Sequence, residues 1–221
     1  MRIAVLGRSA ASALIAALAC GTVQAQSQGW YIGAGAGQSK ANNPASCSDL
    51  SGVFDPVNFS CTSNDTSTGW KLFAGYQFNP KFALEGTYVD LGNFKISASG
   101  SVIGLPATAS GSDKASGLSF DAVGALPIGE QFGLIGRIGV FAWMLDSSAN
   151  VSVPGAAPGN STSTSDKPSG VSLDVGVGAK YDFTQNVGVR AEWQRFASIG
   201  NSDTGKSDID LISASLVYRF K

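Results

Sequence analysis

Apolar and polar residues alternate with a two-residue period through most of the chain. Eight segments show this pattern, and each is about as long as the ten residues that a tilted strand needs to cross a bilayer. The segments are residues 29–38, 69–78, 82–91, 117–126, 131–144, 170–183, 187–196 and 209–220. No segment has a sustained 3.6-residue period, so the pattern predicts an all-β protein with almost no helix.

The connections between these segments alternate strictly between short and long. Tight turns are predicted at 79–81, 127–130 and 184–186. The long connections are rich in Ser, Thr, Asn, Gly and Ala, and they cover residues 39–68, 92–116, 145–169 and 197–208. A chain that enters an outer membrane from the periplasm leaves short turns behind and sends long loops outside. The sequence therefore predicts an eight-stranded antiparallel up-and-down transmembrane β-barrel with short periplasmic turns and long extracellular loops.

The two faces of the predicted strands differ in a way that indicates which one meets lipid. In VGVRAEWQRF, Val189 and Trp193 lie on one face, and Arg190 and Glu192 lie on the other. The charged face also carries many glycines, which weaken a strand in water and give it nothing to pack. Inside a narrow eight-stranded barrel, however, small neighbours leave room for long charged side chains. We therefore expect the apolar face to contact lipid and the charged face to point inward.

Eight charged residues form the expected cluster in the barrel interior. They are Lys71, Glu85, Asp121, Arg137, Asp174, Lys180, Arg190 and Glu192. Counting along the strands from the short turns places three acids and three bases in one layer: Glu85, Asp121, Glu192, Arg137, Lys180 and Arg190. A buried charge without a partner costs several kcal/mol, so these side chains are expected to form ion pairs. Two interpretations stay open, namely a structural plug and a gated conductance path.

The first 25 residues are typical of a secretory signal peptide. Arg2 and Arg8 precede a short apolar run from Ala10 to Ala19, and Val23 and Ala25 have the spacing that signal peptidase favours. We expect cleavage after Ala25 and a barrel domain over residues 26–221. A lipoprotein cut before Cys20 is the weaker alternative, because ALAC lacks the usual Leu three residues before the cysteine.

Charge and cysteine content narrow the class of protein further. Without Arg2 and Arg8, 13 of the 15 basic residues remain against 16 acidic residues, a net charge of −3. Such a chain has no basic field for nucleic acid. Cys47 and Cys61 remain after cleavage, and an oxidising compartment would join them. That disulfide would close a short loop and contribute about 3 kcal/mol.

Several stretches resemble the transmembrane domain of OmpA-like outer-membrane proteins. They are GWYIGAGAG (29–37), WKLFAGYQFNPKFALEGTYVDLG (70–92), VGVRAEWQRF (187–196) and LVYRF (216–220). The resemblance implies a Gram-negative outer membrane, with its lipid and lipopolysaccharide and its barrel assembly machinery as partners. It also places Glu85 and Arg137 in an interior salt-bridge layer. Fuller members of the family carry a C-terminal peptidoglycan-binding domain, which is not expected here because the chain stops at the last strand.

Catalytic chemistry finds little support in the sequence. The chain has no histidine, which removes the usual general base for a Ser nucleophile and the commonest metal ligand. The GAGAG run at 33–37 is not a nucleotide loop, because no helical pattern follows it. We therefore expect no catalytic, metal-binding or cofactor-binding residues, no cofactor and no enzymatic activity.

Two functions remain as hypotheses. The first is a structural, surface-display role of the adhesin type, because rigid scaffolds carry binding on their loops and four long loops are predicted here. The loop held by Cys47 and Cys61 is then the best candidate for contact with a host or surface ligand. The alternative is a small porin of low conductance for ions or small solutes.

Overall fold

The computed structural model describes residues 28–42, 47, 59–102, 104–154, 161–201 and 205–220. The predicted signal peptide and much of the first long connection lie outside these residues. The described part contains ten strands: β1 (Gly29–Ala41), β2 (Ser60–Asn64), β3 (Thr66–Asn79), β4 (Phe82–Val102), β5 (Leu105–Ile128), β6 (Phe132–Ser152), β7 (Ser161–Asp166), β8 (Ser169–Asp182), β9 (Val187–Asn201) and β10 (Gly205–Arg219). No helix in these ranges is long and apolar enough to cross a membrane.

Eight of the strands form a closed antiparallel ring. Its order is β1, β3, β4, β5, β6, β8, β9 and β10, and β10 returns to pair with β1. That closing seam runs from the pair Tyr31 and Arg219 to the pair Ala41 and Ile209. The predicted eight-stranded barrel is confirmed. Closure leaves the ring without an open edge, which is what a sheet surrounded by hydrocarbon requires.

A continuous band of large apolar side chains covers the outside of the ring. Val171 is 72 % exposed, Phe120 68 % and Ile212 65 %. Such a surface is unfavourable in water and suited to lipid tails. Near the short turns, aromatic side chains stack in edge contacts, as Trp30 does with Tyr76 at a centroid distance of 5.3 Å. Aromatic girdles of this kind lie at the interface between lipid and water.

Several predicted long loops are in fact paired strands. β4 and β5 continue through most of residues 92–116. β6 continues to Ser152, and β7 pairs with its residues 147–152. The long connections were predicted, but their strand pairing was not. The reason is physical: outside the bilayer the outward strand face no longer meets lipid, so the large apolar residues that mark that face of the membrane strands are not required. Backbone pairing then carries the sheet with Ser, Thr, Gly and Ala side chains.

These outer strand segments form what we call the sheet extension. It consists of β2, residues 93–102 of β4, residues 105–114 of β5, residues 145–152 of β6, and β7, in the order β2, β4, β5, β6, β7. A small apolar cluster around the buried Ala98 and Ala107 packs against Phe59, Val102 and Val153. The predicted disulfide is present, and it joins Cys61 of β2 to Cys47 with a Cα–Cα distance of 5.8 Å.

Two valines of similar exposure allow the membrane band and the sheet extension to be compared, because one lies in each. Val177 on β8 is 59 % exposed, and Val151 on β6 is 46 % exposed. Because arginine at mid-bilayer depth on a barrel's lipid face is unfavourable, V177R should destabilise the folded protein by about 2–4 kcal/mol in urea titrations from phospholipid vesicles. V151R should change it by less than about 0.5 kcal/mol. Equal effects at the two positions would contradict the assignment of the lipid band.

Candidate functional site

Arg137 is the centre of a buried network of ion pairs inside the barrel. Its Nη2 lies 2.8 Å from Oε1 of Glu85 and 2.5 Å from Oδ2 of Asp121, and its Nη1 lies 3.1 Å from Oε1 of Glu192. The four side chains come from β6, β4, β5 and β9, so the network ties together strands on different sides of the ring. Charge-assisted hydrogen bonds of this kind are among the stronger ones in proteins.

Further partners extend the network around the lumen. Arg190 Nη1 lies 2.7 Å from the second oxygen of Glu85, to which the Tyr31 hydroxyl also donates at 2.9 Å. Lys71 donates to Glu192 and to the amide oxygen of Gln194, each at 2.7 Å. All eight charged residues singled out from the sequence point inward and are buried. We call the group Lys71, Glu85, Asp121, Arg137, Arg190 and Glu192 the charged network.

Two of the eight residues lie outside these pairings. Lys180 was expected in the same layer, but its Nζ lies 3.3 Å from Asp182, which also pairs with Arg219 at 2.7 Å. This trio lies nearer the short turns. Asp174 forms no ion pair with any described residue, and its Oδ2 atom lies within hydrogen-bond distance of the Ser119 hydroxyl. Asp182 and Arg219 were not among the residues predicted from the sequence. Each lies between two outward-facing aromatic residues, so the two-residue period would have placed both inside the barrel.

Glycines on neighbouring strands make room for the charged side chains. Gly176 lies opposite Arg137, and Gly178 lies opposite Glu192. A Cβ atom built at Gly176 would lie 2.9 Å from Cγ of Arg137, and one at Gly178 would lie 2.9 Å from Cγ of Glu192. Real side chains do not approach so closely. The inward-facing glycines therefore leave the space that the side chains of the charged network occupy.

An apolar layer fills the lumen on the side of the charged network away from the short turns. Its buried members are Ala41, Val89, Leu91, Phe94, Ala115, Phe141, Trp143, Leu145, Phe196, Ile199, Ile209 and Leu211. The rings of Phe141 and Phe196 contact each other at a centroid distance of 4.6 Å. The sequence had indicated a charged lumen, and this apolar layer was missed. Phe141 and Trp143 continue the inward positions of β6 beyond Arg137, so the strand's period could have revealed them.

These features define an eight-stranded outer-membrane β-barrel with a packed interior. Within the described ranges, no group of three or more Asp, Glu, Cys or His residues is placed to hold a metal ion. The chain belongs to the family of the OmpA-like transmembrane domain, whose family model matches residues 25–221. The resemblance seen in the sequence is thus confirmed, as is the location in the outer membrane of a Gram-negative bacterium.

Known relatives are similar to this chain over most of its length. Outer membrane protein A of Shigella flexneri is 30 % identical over 193 residues, which cover 86 % of this chain and 48 % of the relative. The protein of the same name from Klebsiella pneumoniae is 30 % identical over 161 residues, covering 72 % of this chain and 42 % of the relative. The chain thus spans about half the length of the curated relatives it matches.

Solved structures with a similar arrangement of strands are outer-membrane proteins. The attachment invasion locus protein Ail of Yersinia pestis, solved with the heparin analogue sucrose octasulfate, has a TM-score of 0.48 at 17 % identity, covering 86 % of this chain and 99 % of Ail. Neisserial surface protein A has a TM-score of 0.48 at 17 % identity, covering 86 % of this chain and 97 % of that protein.

Two glycines on β6 test the steric role of the inward glycines. Gly139 faces the lumen, where a Cβ atom would clash with Asp121 Oδ1 and the Phe120 carbonyl oxygen, whereas one at Gly136 would have nothing within 4 Å. G139A should lower the free energy of unfolding by about 1–3 kcal/mol, measured by urea titration in vesicles. G136A should shift it by less than about 0.5 kcal/mol. A tolerated G139A would mean that the network does not need this space.

Proposed function

We propose that this protein is a structural outer-membrane barrel whose role is to display the sheet extension outside the cell. The observation that carries the proposal is the extension itself, a five-stranded sheet built on three barrel strands that continue past the membrane. If the barrel strands only had to be connected outside the membrane, short turns would be enough. A sheet that continues the barrel is rigidly held, and rigid scaffolds with exposed outer elements commonly carry binding.

The outer edges of the extension support a binding role. All six residues of β7 are exposed, and β7 pairs with β6 along one of its edges. An exposed strand edge offers unpaired backbone groups to an extended segment of another protein, which can add to the sheet as a further strand. Among the described residues, β7 pairs only with β6, and its side chains are mostly the small Ser and Thr. At the other side of the sheet, β2 is held by the disulfide from Cys61 to Cys47.

The charge of the extension narrows the kind of partner. It and its immediate flanks carry three lysines and four aspartates, namely Lys95, Lys114, Lys167, Asp65, Asp113, Asp146 and Asp166. There is no cationic excess of the kind that a polysulfated ligand requires, in contrast to the heparin analogue named for Ail. A protein surface or a neutral glycan therefore suits the extension better.

Two further partners belong to the proposal. Lipid and lipopolysaccharide would surround the apolar band of the barrel. The barrel assembly machinery would recognise the last strand, because β10 alternates regularly and is followed by Phe220. An enzymatic role is not proposed, because the chain has no histidine and the carboxylates of Glu85, Asp121 and Glu192 are engaged by Arg137.

The porin alternative is weaker because two unlike layers fill the lumen. An ion would have to pass the charged network and then the apolar layer around Phe141 and Phe196. Apolar constrictions block ions by excluding water. In planar bilayers, the purified protein should show no conductance steps, and R137A should also stay silent because the apolar layer remains. Reproducible steps from the wild-type protein would overturn the display proposal in favour of a porin.

Adhesion of cells carrying a shortened sheet tests the display role. Replacing residues 95–112 by an Asn-Gly turn removes the outer part of the β4–β5 hairpin and leaves the ring pairs intact. A non-adherent laboratory strain expressing the wild-type protein should bind epithelial monolayers, and binding should fall to the level of the empty strain with the shortened variant. Different migration of boiled and unboiled samples in detergent gels verifies that the variant barrel is folded. Equal adhesion by both strains would contradict the proposal.

A further inference from the structure

Asp121 and Asp174 lie on either side of a single glycine in the barrel lumen. Asp121 on β5 is in register with Gly139 on β6, and Gly139 is in register with Asp174 on β8. Because Gly139 has no side chain, the two carboxyl groups can lean towards each other across the middle strand. A Cβ atom at Gly139 would collide with Asp121 Oδ1, so that oxygen occupies the space above the glycine.

The two carboxyl groups share their nearest hydrogen-bond donor. The Ser119 hydroxyl lies within hydrogen-bond distance of Oδ2 of Asp121, at 2.8 Å, and of Oδ2 of Asp174. A hydroxyl group has one proton, so it can donate to only one of the two. The Oδ1 atoms of both residues are buried and have no hydrogen-bond partner.

The charges facing this pair leave one negative charge unbalanced. Arg137 on β6 pairs with Asp121 and also with Glu85 on β4 and Glu192 on β9. Glu85 in turn pairs with Arg190 and accepts from the Tyr31 hydroxyl, and Glu192 pairs with Lys71 on β3. The charged network plus Asp174 therefore contains three bases and four acids. Asp174 is also in register with Phe196 of the apolar layer, which keeps water away. Two adjacent carboxyl groups in such a place cannot both stay ionised at low cost.

We propose that Asp121 and Asp174 form a proton-binding site that holds one proton between their carboxyl groups in the folded barrel. The proton supplies the missing hydrogen bond between the two side chains. With this proton bound, the charged network and Asp174 together carry three positive and three negative charges. Ser119 can then donate to whichever Oδ2 atom does not carry the proton. The site is distinct from the proposed display role, because it lies in the lumen and does not involve the sheet extension.

The site makes the stability of the barrel depend on pH in a defined direction. In the unfolded chain both aspartates are ionised at neutral pH, so the folded state binds one proton more than the unfolded state. The stabilisation from this proton is therefore present at the lower pH and is lost as the pH rises. Asp182, which is paired with Lys180 and Arg219, lies outside the site and serves as the control position.

Substitution of each aspartate by asparagine tests the site. In D174N the amide group can donate to Asp121 without needing a proton. Urea unfolding from phosphatidylcholine vesicles should show that the wild-type unfolding constant rises at least tenfold between about pH 6 and about pH 9. D174N should show less than a twofold change over that range. D182N, which removes an ion-pair partner, should be less stable at both pH values yet keep the wild-type slope.

Infrared spectroscopy provides a measurement on the wild-type barrel that does not depend on a variant. A protonated carboxyl group gives a carbonyl stretch separate from that of carboxylates, and the folded protein should show it near neutral pH. Absence of the band, or a D174N protein with the wild-type slope, would overturn the proposal. Stabilisation of the wild type by sodium but not by choline chloride would also overturn it, because a metal cation would then take the proton's place.

Discussion

The inability of hydrocarbon to hydrogen-bond with peptide groups is the constraint on which this structure depends. Every N–H and C=O group within the bilayer must find its partner in the protein, and for a sheet this requires a closed ring. The seam between β1 and β10 supplies that closure, with paired residues from Tyr31 and Arg219 to Ala41 and Ile209. Closure with eight strands in turn sets a narrow lumen, and the narrow lumen determines what can lie inside it.

The lumen is filled by two kinds of packing that solve different problems. Around Arg137, buried charges form ion pairs with one another, and glycines such as Gly176 and Gly178 provide the room that their side chains need. Farther from the short turns, the contact of Phe141 with Phe196 is part of an apolar layer that needs no polar partners. An interior packed in this way gives the barrel a structural character. This packing is one reason why we propose the display role for the sheet extension.

The membrane-embedded part of the fold was predictable because lipid imposes a pattern on the sequence. A strand with lipid on one side and a packed lumen on the other must alternate, and the eight alternating segments correspond to the eight ring strands. The sheet extension was not predictable in this way, because residues such as those of β7 meet water and need no alternation. The burial of the charged side chains followed from the same period, but their partners did not. Lys180 pairs with Asp182 rather than joining Arg137, since pairing depends on side-chain reach.

Amide hydrogen exchange along the seam between β1 and β10 tests the central claim most directly. In phospholipid vesicles, the amides in the central part of this seam should exchange as slowly as those of the paired strands β5 and β6, because both would be ladder hydrogen bonds within the bilayer. Gly33 to Gly37 and Ser213 to Val217 are the residues to follow. Slow exchange at both strands would support the closed ring. Fast exchange confined to these two strands would show an open sheet edge and would contradict the account.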